Sequence, residues 1–192
     1  RALARAAHDY YGDPSWEVKV TGVTGTKGKT TVTYLLRSIL KAAGQRTGLI
    51  GTIAYETGRR TYEAPNTTPS ALTIARLLAE MREAGCRWCA MEVSSHALDQ
   101  GRVEGIRFAG AVFTNLGHDH LDYHKTFAAY FGAKKRLFTR FPSVRARVVN
   151  ADDPWGRRLL RALGRRACSY GLSTPARYRA SELWVAPRGL RF

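Results

Sequence analysis

The run Gly22-Val23-Thr24-Gly25-Thr26-Lys27-Gly28-Lys29-Thr30-Thr31 constrains this chain more than any other stretch. A β-branched segment (Val18, Val20, Val23) enters a glycine-rich turn from Gly25 to Gly28, and Lys29-Thr30 opens a helix. That helix carries Val32, Leu35, Leu36, Ile39, Leu40 and Ala43 at helical spacing, with Gly44 as its stop. A strand, a glycine turn and a helix in this order let backbone N–H groups curl around a phosphate at a helix N-terminus. Lys29 would reach the β- and γ-phosphates and Thr30 would offer its hydroxyl to Mg²⁺. The spacing departs from the standard phosphate loop, because Val23 stands where the first glycine would fall.

The rest of the chain alternates strand and helix, which predicts an α/β fold with a mostly parallel sheet and helices on both faces. Strands are expected near 18–23, 47–55, 88–94, 109–115 and 146–150, and helices near 30–43, 69–84, 126–140 and 154–163. A hairpin from Thr52 to Glu63, turning at Gly58, would decorate the sheet edge. Thr68 is expected to cap helix 69–84, with Pro69 at its first position and Gly85 closing it. With 192 residues, 44% of them hydrophobic, the chain has the material for one such core. Residues 1–16 read as the end of a preceding N-terminal domain plus linker, and 17–192 as one nucleotide-binding domain. The stretch 178–192 reads as strands of a sheet that continues further.

Charge and cysteine content exclude other classes. The net charge of +16 is mostly arginine, spread over exposed-looking helix faces and loops. The clusters at 157–166 and 177–191 lack the aromatic interleaving of a single-strand binder, so no nucleic-acid role is read from them. Solvated surface that attracts polyanionic substrates is the reading instead. No run approaches the ~18 apolar residues of a membrane span, so no membrane insertion is expected. Three cysteines suit a reducing cytoplasm, and the lone Cys86/Cys89 pair is assigned to packing.

Four more stretches fall at strand ends, where open α/β sheets bind ligands. Asn66-Thr67-Thr68-Pro69 precedes a helix and alone reads as a cap. Glu92 ends an apolar strand and leads through Ser94, Ser95 and His96 to Gln100 and Arg102; a carboxylate there needs a partner, a metal ion being one candidate. Thr114-Asn115 leads into His118-Asp119-His120-Leu121-Asp122-Tyr123-His124, which is either metal or phosphate chemistry or a self-bonded polar loop. Helix 126–140 has an apolar stripe of Phe127, Tyr130, Phe131, Leu137 and Phe138, and Lys134 lies in its middle. Lys134 either snorkels outward or is held in a pocket, where desolvation favours the neutral amine able to take up CO₂ as a carbamate.

Together these stretches resemble the central domain of the Mur ligases, from about residue 18 to residue 172. Within that family they are most similar to the branch that adds the third peptide residue. Five motifs in order carry the resemblance: Gly25–Thr31, Asn66–Pro69, Glu92–His96 with Gln100 and Arg102, Asp119–His124, and Asn150-Ala151-Asp152-Asp153. The resemblance implies that Gly25, Thr26, Lys27, Gly28, Lys29, Thr30 and Thr31 hold the ATP phosphates, with Lys27 in place of a more usual Asn. Thr30 would hold one Mg²⁺, and Glu92 and His120 would help hold a second. Lys134 matches the lysine that is carbamylated in the family (N6-carboxylysine). Asn66, Thr67, Thr68, Ser94, Gln100 and Arg102 match residues that bind the UDP-muramoyl peptide, and Asn150, with Asn115, the nucleotide side.

The activity so implied is ATP-driven amide formation in bacterial peptidoglycan synthesis, carried out by a cytoplasmic monomer. UDP-MurNAc-L-Ala-D-Glu would be activated as an acyl phosphate and joined to meso-diaminopimelate or L-lysine. Most of the N-terminal domain and all of the C-terminal domain of that family are missing from the chain, so the 192-residue piece alone is expected to be inactive. Folylpolyglutamate synthase and cyanophycin synthetase share the loop and the lysine, but Asn66–Pro69 and Ser94–Arg102 disfavour them. A P-loop kinase or NTPase should have a glycine at Val23 and an Asp near Glu92. A basic nucleic-acid module would be told apart by steeply salt-dependent DNA affinity.

Overall fold

Apolar strand runs and the helices between them build one layered α/β unit in the computed structural model, which describes residues 2–172, 175–186 and 189–191. Along the chain come α1 (Ala2–Tyr10), β1 (Lys19–Thr24), α2 (Lys29–Ala42), β2 (Thr47–Ile50), β3 (Ala54–Glu56), β4 (Thr61–Glu63) and α3 (Ala71–Glu83). Then follow β5 (Trp88–Glu92), α4 (Ser95–Asp99), β6 (Phe108–Phe113), α5 (Leu121–His124), α6 (Phe127–Thr139), β7 (Ala146–Asn150) and α7 (Pro154–Leu163). The short strands β8 (Cys168–Gly171), β9 (Tyr178–Arg179), β10 (Trp184–Ala186) and β11 (Gly189–Arg191) complete the described residues.

The main sheet runs β4-β3-β2-β5-β1-β6-β7-β8-β9. It is parallel from β2 to β9, with β3 and β4 as an antiparallel hairpin at one edge. The hairpin turns at Gly58 with φ +86°, a conformation open to glycine. Val20, Ile50, Met91, Phe108, Phe113, Tyr130 and Phe138 form part of a core that excludes solvent between the sheet and its helices. Burying each such side chain contributes about 1.5–3 kcal/mol, before the entropy of ordering it. The central strand is β1, so the loop that follows it opens in the middle of the sheet's carboxyl edge.

Several local expectations are corrected. Segment 47–55 is not one strand: β2 stops at Ile50 and β3 starts at Ala54. A Cβ on Gly51 would fall 2.5 Å from Glu92 Oε1, and Thr52 turns its N–H onto the same oxygen at 2.9 Å. The chain leaves the sheet there to reach a buried carboxylate. Thr68 does not cap α3; Ser70 does, accepting the Thr73 N–H at 3.2 Å. The apolar stripe of α2 is only partly covered, since Leu35 and Ile39 are exposed while Thr33 is buried. Helical spacing marks a stripe but not how far neighbouring strands reach around it.

Residues 2–10 are helical, and α1 buries Ala4, Ala7 and His8. Arg82 of α3 donates to Gly12 O at 2.9 Å just beyond it. At the other end β9 extends the main sheet, and β10 and β11 pair with each other; Pro187 and Arg188 of the basic cluster at 177–191 lie outside the described residues. Cys86 and Cys89 are buried free thiols, as packing requires. Among the described residues no helix is long and apolar enough to cross a membrane.

Candidate active site

Gly25 follows β1 at φ +154°, and a Cβ there would lie 1.9 Å from Thr114 Oγ1. Gly28, at φ +80°, precedes α2 without a side-chain cap, so the first N–H groups of the helix, those of Lys29, Thr30 and Thr31, face the loop's opening. The loop is braced from the segment after β6. The Asn115 Oδ1 accepts the Lys27 N–H at 3.0 Å and its Nδ2 donates to Lys27 O at 3.1 Å. Thr114 Oγ1 donates to Lys27 O at 2.7 Å, and the Thr26 hydroxyl accepts the Gly117 N–H at 2.9 Å. Asn115 therefore shapes the loop. Asn150 sits at the next strand end, donating to Thr114 O at 2.8 Å and accepting the Asp152 N–H at 2.9 Å.

Two lysines meet at one carbonyl. Lys29 Nζ donates to Gly25 O at 3.1 Å and to Thr26 O at 2.9 Å, and Lys134 Nζ, from α6, donates to Gly25 O at 2.8 Å. Lys134 is 1% exposed, and its Nζ lies 4.5 Å from the centroid of the Tyr130 ring. It is held in a pocket and does not snorkel outward. Burial foremost, and then the Lys29 charge, lower its amine to about 7. Burial lowers Lys29 as well, with Glu92 opposing.

Glu92 is fully buried at the end of β5. Its carboxylate accepts the Thr30 hydroxyl at 3.0 Å, the Thr52 N–H at 2.9 Å and the Thr52 hydroxyl at 3.2 Å. The Thr52 hydroxyl also bonds that of Thr67 at 3.0 Å, and Asn66 O accepts the Tyr55 hydroxyl. Thr68 donates to Glu92 O at 2.8 Å and accepts the Ser94 N–H at 3.0 Å. The Ser94 hydroxyl caps α4, accepting from Ala97 N–H at 3.2 Å. Arg102 donates to Thr68 O at 2.9 Å and to Gln100 Oε1 at 2.7 Å. All six residues matched to the sugar-peptide substrate thus lie along one strip bordering Glu92.

The histidine-rich loop forms α5 and stacks beside this strip. His120 adopts φ +52°, and its ring lies 4.7 Å from His96 and 6.0 Å from Tyr130 between centroids. His96 also packs on Tyr123 at 4.3 Å and His124 at 5.6 Å. Burial first, then neighbouring positive groups, lower His96 and His124. Asp99 at the end of α4 accepts the Tyr123 hydroxyl at 3.0 Å and Arg136 Nη1 at 2.7 Å, tying α4, α5 and α6 together. No hydrogen bond or ion pair among the described residues joins His120 to Glu92.

A family model described as the Mur ligase middle domain matches residues 23–192. The chain belongs to that family. A UDP-N-acetylmuramoyl-L-alanyl-D-glutamate–2,6-diaminopimelate ligase of Aquifex aeolicus is 44% identical over 199 aligned positions, covering 100% of this chain and 41% of that protein. The ligase of the same name from Gloeobacter violaceus is 48% identical over 189, covering 98% and 38%. A solved structure of a ligase so named superposes with a TM-score of 0.84 at 30% identity, covering 97% of this chain and 40% of that one. The chain therefore spans about two fifths of the length of these relatives.

In this Mur ligase domain the sequence motifs meet as a set, but three contributors escaped the motif reading. Thr52 sits just past β2 and supplies two of the bonds to Glu92. Tyr130, read only as apolar stripe, also bonds the Thr26 hydroxyl at 3.2 Å. Asp99 anchors two elements. A small polar residue following Gly51 at a strand's carboxyl end was the available signal for Thr52; nothing local marked the other two.

Proposed function

We propose that this chain is the ATP-binding part of an ADP-forming, MurE-type acid–amino-acid ligase of peptidoglycan precursor synthesis in the bacterial cytoplasm. It would extend UDP-MurNAc-L-Ala-D-Glu with 2,6-diaminopimelate and work as a monomer. Residues 1–16 would be the end of a preceding domain and 17–192 the central domain. The names of the relatives above support the substrate assignment. The convergence of Lys29 and Lys134 on Gly25 O, beside the Thr30–Glu92 pair, is the observation that carries it.

The donor set suits Mg²⁺. A site shared with phosphates needs only one or two protein oxygens, and Thr30 Oγ1 and Glu92 Oε2 lie 3.0 Å apart at the loop. Thr30 would hold one Mg²⁺, and Glu92 and His120, with a Lys134 carbamate, would help hold a second. When bound, the ions would neutralise charge between two anions.

In this reading the N–H groups of Gly25–Thr31 and the Lys29 ammonium grip the ATP phosphates. The strip from Asn66 to Arg102 orients the substrate so that the D-Glu γ-carboxylate oxygen attacks the γ-phosphorus and ADP leaves. The amine of the incoming amino acid then attacks the acyl carbon and expels phosphate. Lys134, with its amine lowered to about 7, is partly neutral at physiological pH. Its free pair would add to CO₂ and release one proton. The carbamate would replace repulsion between two lysines by attraction.

The test is phosphate release by a protein carrying this chain in full, with MgATP, the UDP-linked dipeptide and a panel of amino acids. Release that needs both the dipeptide and diaminopimelate, and disappears in Lys134→Ala, is the expected result. Release independent of the dipeptide would overturn the assignment.

A further inference from the structure

The opposite, amino-terminal edge of the sheet carries a row of cations. In spatial order Arg46 precedes β2, Arg87 precedes β5, Lys19 begins β1, Arg107 precedes β6 and Arg145 precedes β7. Backbone pairing sets them side by side. Arg87 N–H donates to Arg46 O at 3.0 Å, Lys19 N–H to Arg87 O at 2.9 Å, and Arg145 N–H to Ala109 O at 3.2 Å. The pairing of Val20 with Phe108 brings Lys19 level with Arg107. Neighbouring strands lie about 4.8 Å apart, so the row spans roughly 19 Å.

All five residues are exposed, and none joins an ion pair among the described residues. Of the nearby carboxylates, Glu17 lies 3.7 Å from Arg82, and Glu104, which lines the larger groove described below, pairs at 3.0 Å with Arg140 of that groove. Like charges on adjacent strands repel, and no carboxylate forms an ion pair with any of the five among the described residues. Two of the cations are held in place by rings. The Arg107 guanidinium lies 3.4 Å from the centroid of Trp16, and Lys19 Nζ lies 5.0 Å from that of Trp88. Two grooves of about 500 and 380 Å³ run along this edge and share Arg107, Ser143 and Arg145; Arg5 also lines the larger, beside the paired Glu104 and Arg140.

We propose that this edge binds a linear, phosphate-rich polyanion, with inorganic polyphosphate as the matching chemistry, at a site distinct from the Gly25–Thr31 loop. The two sites lie at opposite ends of the central strands, whose five or six residues set them roughly 17–20 Å apart. A row lying in grooves fits a chain better than a flat bilayer. The Trp16 and Trp88 rings each hold a cation of the row on one face, which fixes where the charge is presented.

The test is calorimetric titration of the chain with a short inorganic polyphosphate in saturating MgATP, over a salt series. The exposed pair Arg87→Gln/Arg145→Gln is compared with a charge-matched pair away from this edge, Lys135→Gln/Arg158→Gln. Binding is expected to weaken at least about tenfold in the edge pair, with the salt slope falling by about two, and to hold in the control pair. Lys19→Gln repeats the test at a third position, and unchanged melting certifies the fold of each variant. Equal losses in both pairs would reduce the effect to the chain's general positive charge and overturn the site. So would no binding, or tighter binding through the same residues to phosphatidylglycerol vesicles or to an oligothymidylate.

Discussion

Replacing Thr68 with Val keeps the shape of the side chain and removes one hydroxyl that serves a buried backbone carbonyl and a part-buried backbone N–H. Thr68 is 1% exposed, donates to Glu92 O at 2.8 Å and accepts the Ser94 N–H at 3.0 Å. Valine opens no cavity, so the cost is that of the two stranded groups. Each buried unpaired group costs about 1–3 kcal/mol, and partial relaxation of Ser94 brings the sum to roughly 2–4 kcal/mol. For a domain of this size that corresponds to a fall in Tm of roughly 5–15 °C. Thr68→Ser keeps both bonds and loses one methyl, about 1 kcal/mol. Denaturant unfolding of the three proteins measures both differences. A Val variant within about 0.5 kcal/mol of the parent, or a Ser variant at least as damaged as Val, would refute the view that this hydroxyl ties the Asn66–Pro69 segment to the end of β5.

Three further outcomes follow from the site. Lys134 titrates near 7 in the folded chain against an ordinary 10.5, so between those values the unfolded chain binds more protons; stability relative to Lys134→Met should rise with pH there, by at most about 1.4 kcal/mol per unit, and be flat below. Parallel stability–pH curves for the two proteins would contradict this. Gly51→Ala, whose Cβ would lie 2.5 Å from Glu92 Oε1, should displace the carboxylate and weaken Mg²⁺-dependent ATP binding at least about tenfold, read by titration calorimetry. Gly25→Ala should abolish ATP binding, because its Cβ would meet Thr114 Oγ1 at 1.9 Å; retained affinity would show that the loop can open without loss.

Lys134 was legible because a cation in the middle of an aromatic stripe conflicts with its surroundings, and the structure resolves that conflict by burial beside Gly25 O. The Gly25–Thr31 loop was legible because glycine spacing is local chemistry. Thr68 was misread for the same reason: Thr-Pro before a helix reads as a cap, whereas the bonds that claim this hydroxyl come from residues 24 and 26 positions away. The amino-edge cations were visible one by one as scattered arginines. Only the strand order β2-β5-β1-β6-β7 makes them a row.

The sequence by itself determined the alternation of strands and helices, the phosphate-loop geometry and the ordered motifs of the family. Each is written in contiguous residues through periodicity, glycine conformational freedom and turn chemistry. Tertiary structure alone decided which polar groups share the buried Glu92. Thr30 stands 62 residues before it and Thr52 stands 40 before it, yet both bond its carboxylate. It also decided that Lys134 meets Gly25 across 109 residues. Such pairings are fixed by packing β1 between β5 and β6 beneath α6, and no local propensity encodes them.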